Sequence, residues 1–101
     1  MVERPPLSPY LIFPRAEADL TSAFDYYESQ EAGLGLEFLR TFEAALAMLR
    51  RYPEAALKVR GEVRRILFRR FPYGVFYDER EGTIRVLAVL HVRRDSTGWP
   101  R

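Results

Sequence analysis

The side chains best suited to chemistry in this 101-residue chain lie in its second half. Arg65, Arg85 and Arg93 carry planar cations whose paired donors suit carboxylates and phosphates. His91 changes charge near neutral pH, so it and Tyr77 are the candidates for proton transfer. A lone histidine at a strand end more often makes a structural hydrogen bond, and a tyrosine in a sheet more often packs. The residues therefore permit a catalytic site and equally permit a cationic binding surface.

The charge is unevenly distributed along the chain. The formal net charge is only +2, yet the segment from Lys58 to Arg70 holds one Lys and five Arg against one acid, Glu62. Asp and Glu instead collect in residues 17–43. A basic half indicates an anionic partner, either nucleic acid or an acidic protein segment. The alternative is ordinary solvated charge on the exposed side of a sheet.

Several classes of protein are excluded by composition. The chain has no cysteine and one histidine, which excludes disulfides, thiolate metal sites and histidine metal clusters, so we expect no metal and no cofactor. It has no apolar run long enough to span a membrane and no signal-peptide pattern at the start. We therefore expect a cytoplasmic protein with a single domain over residues 1–101, in which residues 1–9 form a mobile lead-in that three prolines keep irregular.

Apolar periodicity predicts the elements that must position these side chains. A short strand at 10–13 is followed by helices at 15–30 and 36–52, which should form an antiparallel hairpin. A loop then covers 53–61, and strands follow at 62–69, 73–78 and 83–92. The order β-α-α-β-β-β predicts an α+β fold, an antiparallel sheet with the helical hairpin packed on one face.

Alternation along the strands assigns side chains to the two faces of the sheet, on the assumption of a three-residue loop at 80–82. One set should share the helix-covered face: Ile66, Phe68, Phe76, Ile84, Val86, Ala88 and Leu90. The other set should share the open face, which is the face of the sheet opposite the helices: Arg65, Arg69, Tyr73, Tyr77, Arg85, His91 and Arg93. A slip of one residue in either turn would invert part of this assignment.

An ordered set of short motifs carries a family resemblance over nearly the whole chain. The set comprises Ala16-x-x-Asp19-Leu20, Tyr26-Tyr27, Gly35-x-x-Phe38, Pro53, Val63-Arg64-Arg65, Phe71-Pro72-Tyr73-x-Val75-x-Tyr77, Val89-x-His91-x-Arg93-Arg94-Asp95 and Trp99-x-Arg101. In this order and spacing the chain resembles the RelE/ParE superfamily of type II toxin–antitoxin toxins, in its ParE-like plasmid-stabilisation branch. The proline-rich start departs from the family pattern. We expect Trp99 to fold back and bury its ring.

The resemblance implies a bacterial toxin that a cognate antitoxin binds and neutralises. ParE-like toxins act on DNA gyrase by protein contact. The residues expected to bind target or antitoxin are Arg65, Arg69, Tyr77, Arg85, His91, Arg93 and Arg94.

Two alternatives remain open. RelE-like relatives cut mRNA in the ribosome without metal, and direct binding of nucleic acid would belong to this alternative only. His91, Tyr77, Arg65, Arg85 and Arg93 would then be the catalytic candidates. The second alternative is a degenerate toxin or a bare binding module.

Overall fold

The structure, a computed structural model, describes the backbone of residues 6–95 and the side chains as far as Arg93. The start of the lead-in, the side chain of Arg94 and the expected burial of Trp99 lie outside the described residues. The elements in chain order are β1 (Tyr10–Ile12), α1 (Pro14–Gln30), α2 (Leu34–Arg51), β2 (Leu57–Arg60), β3 (Val63–Leu67), β4 (Tyr73–Arg80), β5 (Thr83–His91) and α3 (Val92–Asp95).

The helical hairpin forms where its apolar stripes and end signals predict it. Pro14 lies in the first turn of α1, where a missing N–H costs nothing. The Glu28 carboxylate then accepts hydrogen bonds from the N–H groups of Gly33 and Gly35, which satisfies donors at the start of α2. A Cβ added at Gly35 would lie 2.8 Å from Phe24, so only glycine permits this close approach of the two helices.

An aromatic cluster joins the hairpin to the sheet. Phe38 of α2 is fully buried, and its ring centroid lies 5.0 Å from Tyr73, 5.1 Å from Phe68 and 5.2 Å from Phe71. Tyr27 of α1 stacks on the same ring at 5.5 Å. Because these rings come from both helices, β4 and the turn before it, the cluster fixes the hairpin against one end of the sheet.

The five strands form one sheet in the order β1-β5-β4-β3-β2. The predicted α+β fold, with the helical hairpin on one face, is confirmed. The structure adds two features. β1 pairs with β5 in parallel, so the sheet is mixed rather than antiparallel throughout as predicted. β2 lies at an edge, within the segment predicted to be a loop. All four residues of β2 are exposed, so no buried alternation marked it as a strand.

Several side chains lie on the face of the sheet opposite to the one predicted. β4 and β5 are joined by a two-residue turn, Glu81-Gly82, with φ of 52° and 80°, rather than by the expected three-residue loop. This change moves Tyr77 to the helix-covered face, where it packs in the main core, and Phe76 to the open face. The turn before β4 is also longer than predicted, because the Phe68 N–H donates to the Tyr73 carbonyl and so Phe68, rather than Arg69, lies opposite Tyr73. As a result the Tyr73 side chain packs on the helix-covered face.

A β-bulge accounts for the remaining differences. Phe76 pairs with Ala88, whereas the next residue, Tyr77, pairs with Val86, so Leu87 is an extra residue in β5. Beyond the bulge the alternation reverses. Ala88 and Leu90 therefore pack on the open face with Phe76, while Val89 joins the main core. The predicted helix-covered positions of Ala88 and Leu90 were wrong for this reason.

Candidate functional site

Three exposed arginines lie at one end of the sheet, where β3 ends, β4 begins and β5 ends. Arg69 and Arg70 lie in the turn between β3 and β4, and Arg93 follows β5 in α3. The two segments meet, because Val92 N–H donates to the Pro72 carbonyl at 2.8 Å. We call the group Arg69, Arg70, His91 and Arg93 the basic end. Its three guanidinium groups are exposed and suited to an anionic surface.

His91 at the basic end already makes a structural hydrogen bond. Its Nδ1 accepts from the backbone N–H of Arg93 at 3.1 Å, and its ring meets Tyr73 edge-on at 5.2 Å. A neutral imidazole that accepts at Nδ1 carries its proton on Nε2. His91 therefore presents a donor to a partner, and its Nδ1 is not free to act as a general base.

Arg85 lies on the open face and is held in an ion pair. Its Nε and Nη2 donate to the two oxygens of Asp78 at 2.6 and 2.5 Å, and the guanidinium sits 5.4 Å from the centre of the Phe13 ring. The hydrogen bond to Asp78 raises the pKa of Arg85. Both side chains are mostly buried, so this bidentate pair orders the sheet rather than presenting a cation.

Two other predicted site residues lie away from the basic end. The Arg65 side chain is half-buried on the open face and crosses Gly74, where an added Cβ would lie 3.2 Å from Arg65 Cγ. Tyr77 is fully buried on the opposite face, and its hydroxyl donates to the Pro53 carbonyl at 3.0 Å. Burial raises the pKa of the Tyr77 phenol. The predicted placement of His91 on the open face with Arg65 and Arg85 is wrong, because His91 pairs with Tyr73 on the helix side.

A groove between α2 and β3 runs from the basic end along the helix. It encloses about 740 Å³. Its apolar lining is formed by Ala44, Ala45, Met48, Ile66, Leu67 and Phe68, and its polar lining by Glu37, Arg40, Thr41, Arg69 and Arg70. Leu67 is 52% exposed and Met48 40% exposed, so apolar surface lies open to solvent beside three arginines. We call this the α2–β3 groove.

A pocket between α1 and the last strand lies on the other side of the basic end. It encloses about 650 Å³. Its polar and aromatic lining is formed by Asp19, Ser22, Tyr26, Tyr27, Tyr73, His91 and Arg93. Burial and the neighbouring phenols of Tyr73 and Tyr26 raise the pKa of Tyr27, so this hydroxyl is neutral at physiological pH. We call this the α1–β5 pocket.

Sequence reasoning missed several members of these surfaces. Arg70 was not among the predicted site residues, although it lies on the α2–β3 groove and pairs with Glu37 at 3.2 Å. Asp19 and the Tyr26-Tyr27 pair belonged to the motifs, but none of them was among the predicted site residues. The available signal was helical spacing, since Asp19, Ser22 and Tyr26 share a face of α1 at intervals of three and four residues.

Replacing Tyr77 with phenylalanine tests the assignment of this tyrosine to the core. The change removes the hydrogen bond to Pro53 and leaves the ring in place, so we expect the free energy of unfolding to fall by about 1 kcal/mol in urea titrations. Growth inhibition by the variant should equal that of the parent. Loss of growth inhibition without loss of stability would show that Tyr77 has a functional role beyond packing in the core.

The comparisons with known proteins agree with this fold. The family model for the ParE toxin of the type II toxin–antitoxin system parDE matches residues 10–96. The chain therefore belongs to the ParE toxin family. Its structure is similar to one described as the chromosomal ParDE TA system from P. aeruginosa, with a TM-score of 0.75 and 17% sequence identity. That match covers 84% of this chain and 96% of the other. The curated proteins contain no significant match.

Among residues 6–95, no helix has the length and apolar character needed to cross a bilayer.

Proposed function

We propose that the chain is the toxin of a type II toxin–antitoxin module, that it binds and inhibits DNA gyrase in the cytoplasm, and that a cognate antitoxin neutralises it. The observation that carries this proposal is the ParE family match over residues 10–96. The similar fold from P. aeruginosa is described as part of a ParDE system, which supports the pairing with an antitoxin.

Inhibition through contact agrees better with the side chains than catalysis does. Of the two candidates for proton transfer, Tyr77 is buried and His91 uses Nδ1 to accept a backbone N–H. Arg85 is committed to Asp78. The exposed cations of the basic end remain, since the Arg70 side chain is 63% exposed even in its ion pair with Glu37, and they suit an acidic surface on a protein target. We therefore place the gyrase contact at Arg69, Arg70 and Arg93.

A RelE-like ribonuclease is the alternative function. It is favoured by one observation, that His91 and Arg93 line the same pocket as three tyrosines. A translation-dependent cleavage assay on mRNA distinguishes the two functions, because a toxin that acts on gyrase leaves the message intact.

The α2–β3 groove is the proposed binding site for the antitoxin. Its exposed Met48 and Leu67 would pack against the apolar side of an incoming segment, and Arg40, Arg69 and Arg70 would meet acidic residues beside it. Strand β2 next to the groove is a free sheet edge with Leu57 81% exposed. We expect an acidic, amphipathic antitoxin segment, and an interface that buries more than roughly 1,000 Å² in total.

Co-expression tests the toxin–antitoxin assignment directly. The chain expressed alone should arrest growth, and expression together with the neighbouring antitoxin gene should restore growth and yield a stable complex. Hydrogen exchange should show new protection at α2 and β3 in that complex. Growth that is equally normal with and without the antitoxin would indicate the degenerate alternative.

Substitution of Arg93 tests the basic end as the acting surface. Arg93 is exposed, so Arg93→Ala should change the free energy of unfolding by less than about 0.5 kcal/mol, while growth inhibition should fall. Arg80→Ala provides a matched control, because Arg80 is exposed at the opposite end of the β4–β5 hairpin. Equal toxicity of the two variants would show that Arg93 does not contribute to the contact with the target.

A further inference from the structure

The α1–β5 pocket is lined by a continuous row of four rings that begins at the exposed Tyr26 and ends at His91. Tyr26 meets Tyr27 edge-on at 5.1 Å, Tyr27 meets Tyr73 at 6.0 Å, and Tyr73 meets His91 at 5.2 Å. The inner three rings are half-buried, whereas Tyr26 is 57% exposed. The outer ring thus leaves area available at the mouth of the pocket, where a planar group could stack.

Hydrogen-bond donors and positive charge lie at one side of these rings. The exposed Arg93 guanidinium lines the pocket and makes no hydrogen bond or ion pair with another described residue. His91 lines it too, and because its Nδ1 is occupied, it offers its Nε2–H. Donors of these two kinds suit a small anion, and a phosphate is an anion that matches the guanidinium fork well.

Asp19, the one carboxylate among the described residues of the lining, does not cancel that charge. Asp19 Oδ2 accepts from the backbone N–H of Val89 at 2.9 Å and lies 3.7 Å from Arg15 Nε. Asp19 is thus already compensated by neighbours on α1 and β5. Among the described residues that line the pocket, Arg93 is therefore the cation that Asp19 does not engage.

Size and lining together define the class of ligand. A volume of about 650 Å³ lies within the range of small-molecule sites, and the pocket joins stacking surfaces to a phosphate-binding pair. We propose that the α1–β5 pocket binds a nucleoside monophosphate unit. The base stacks on Tyr26 at the mouth of the pocket, and the phosphate meets Arg93 and His91 Nε2–H. The unit is either a free nucleotide or one residue of a single strand. Arg93 also belongs to the proposed gyrase contact, but a titration with AMP contains no gyrase, so its failure is distinguishable from failure of the gyrase proposal.

Titration of the purified full-length chain with AMP tests this site, followed by NMR shifts of the backbone amides. Shifts should centre on Tyr73, Val89 and His91. Adenosine and inorganic phosphate, each titrated alone, should bind more weakly than AMP, because each reaches only part of the site. A parallel titration with a single-stranded tetra-adenylate distinguishes the two possible ligands. Tighter binding of AMP indicates a free nucleotide, and tighter binding of the strand indicates nucleic acid.

Matched variants assign the binding to these side chains. Tyr26→Ala should weaken AMP binding by about 5-fold or more, the usual effect of losing one stacked ring. Tyr52→Ala is the control, because Tyr52 is 54% exposed and lies outside this pocket. Arg93→Gln should weaken AMP and leave adenosine unchanged, whereas Arg80→Gln should change neither. No shifts at millimolar AMP would overturn the proposal, as would equal losses in each variant and its control.

Discussion

Replacing Phe38 with alanine lowers the free energy of unfolding by roughly 3–5 kcal/mol, the usual cost of emptying a buried aromatic site. Phe38 is fully buried and contacts the rings of Tyr27, Phe68, Phe71 and Tyr73. The rings around it come from separate elements, so they cannot all move inward to fill the space. In a domain of this size the midpoint of thermal unfolding should fall by more than about 12 °C.

Leu36 provides the control for Phe38 on the same helix. Leu36 lies two residues earlier in α2 and is 47% exposed, so Leu36→Ala should cost less than about 1 kcal/mol. Both variants are measured by urea and thermal unfolding. If Phe38→Ala melts like the parent, the aromatic cluster does not hold the hairpin to the sheet.

Leu67→Glu weakens binding of the antitoxin by about 2–4 kcal/mol, or roughly 30- to 1,000-fold. Leu67 lines the α2–β3 groove, where the proposed antitoxin segment would bury it. A glutamate there would be desolvated against an acidic partner, with like charges opposed. Because Leu67 is exposed in the free chain, stability should change little. Calorimetric titration with purified antitoxin measures the loss, and co-expression should no longer restore growth.

Leu11→Glu adds the same charge at a comparable site on the other edge of the sheet. Leu11 lies in β1 and is 57% exposed. The variant should bind antitoxin like the parent and be neutralised by it. If Leu67→Glu and Leu11→Glu are neutralised equally well, the antitoxin segment does not occupy the groove.

The helices could be predicted from the sequence because their signals are local. The apolar stripe of α2 and the proline that follows it lie within one segment, and the observed bounds, Leu34–Arg51, differ by one or two residues from those expected. The alternation of Ile84 and Val86 likewise fixed their burial. Strand β2 gave no such signal, because an exposed edge needs no apolar alternation.

The functional surface was harder to predict because it depends on the turns. A two-residue turn in place of three moved Tyr77 from the expected open face into the core, and the extra Leu87 reversed the alternation beyond it. Arg69 and Arg93 belonged to the predicted site, but the meeting of the turn that carries Arg69 and Arg70 with α3 depends on the hydrogen bond between Val92 and Pro72. Tertiary contacts of this kind leave no periodic pattern in the sequence.

A DNA supercoiling reaction with purified gyrase, ATP and relaxed plasmid tests the proposed function most directly. The chain should lower the yield of supercoiled plasmid as its concentration rises, and equimolar antitoxin should restore that yield. Arg80→Ala should inhibit like the parent, and Arg93→Ala should inhibit less. The same preparation should leave mRNA intact in a reconstituted translation reaction. Unchanged supercoiling at every toxin concentration, together with cleavage of the translated message, would contradict the account and identify a ribonuclease.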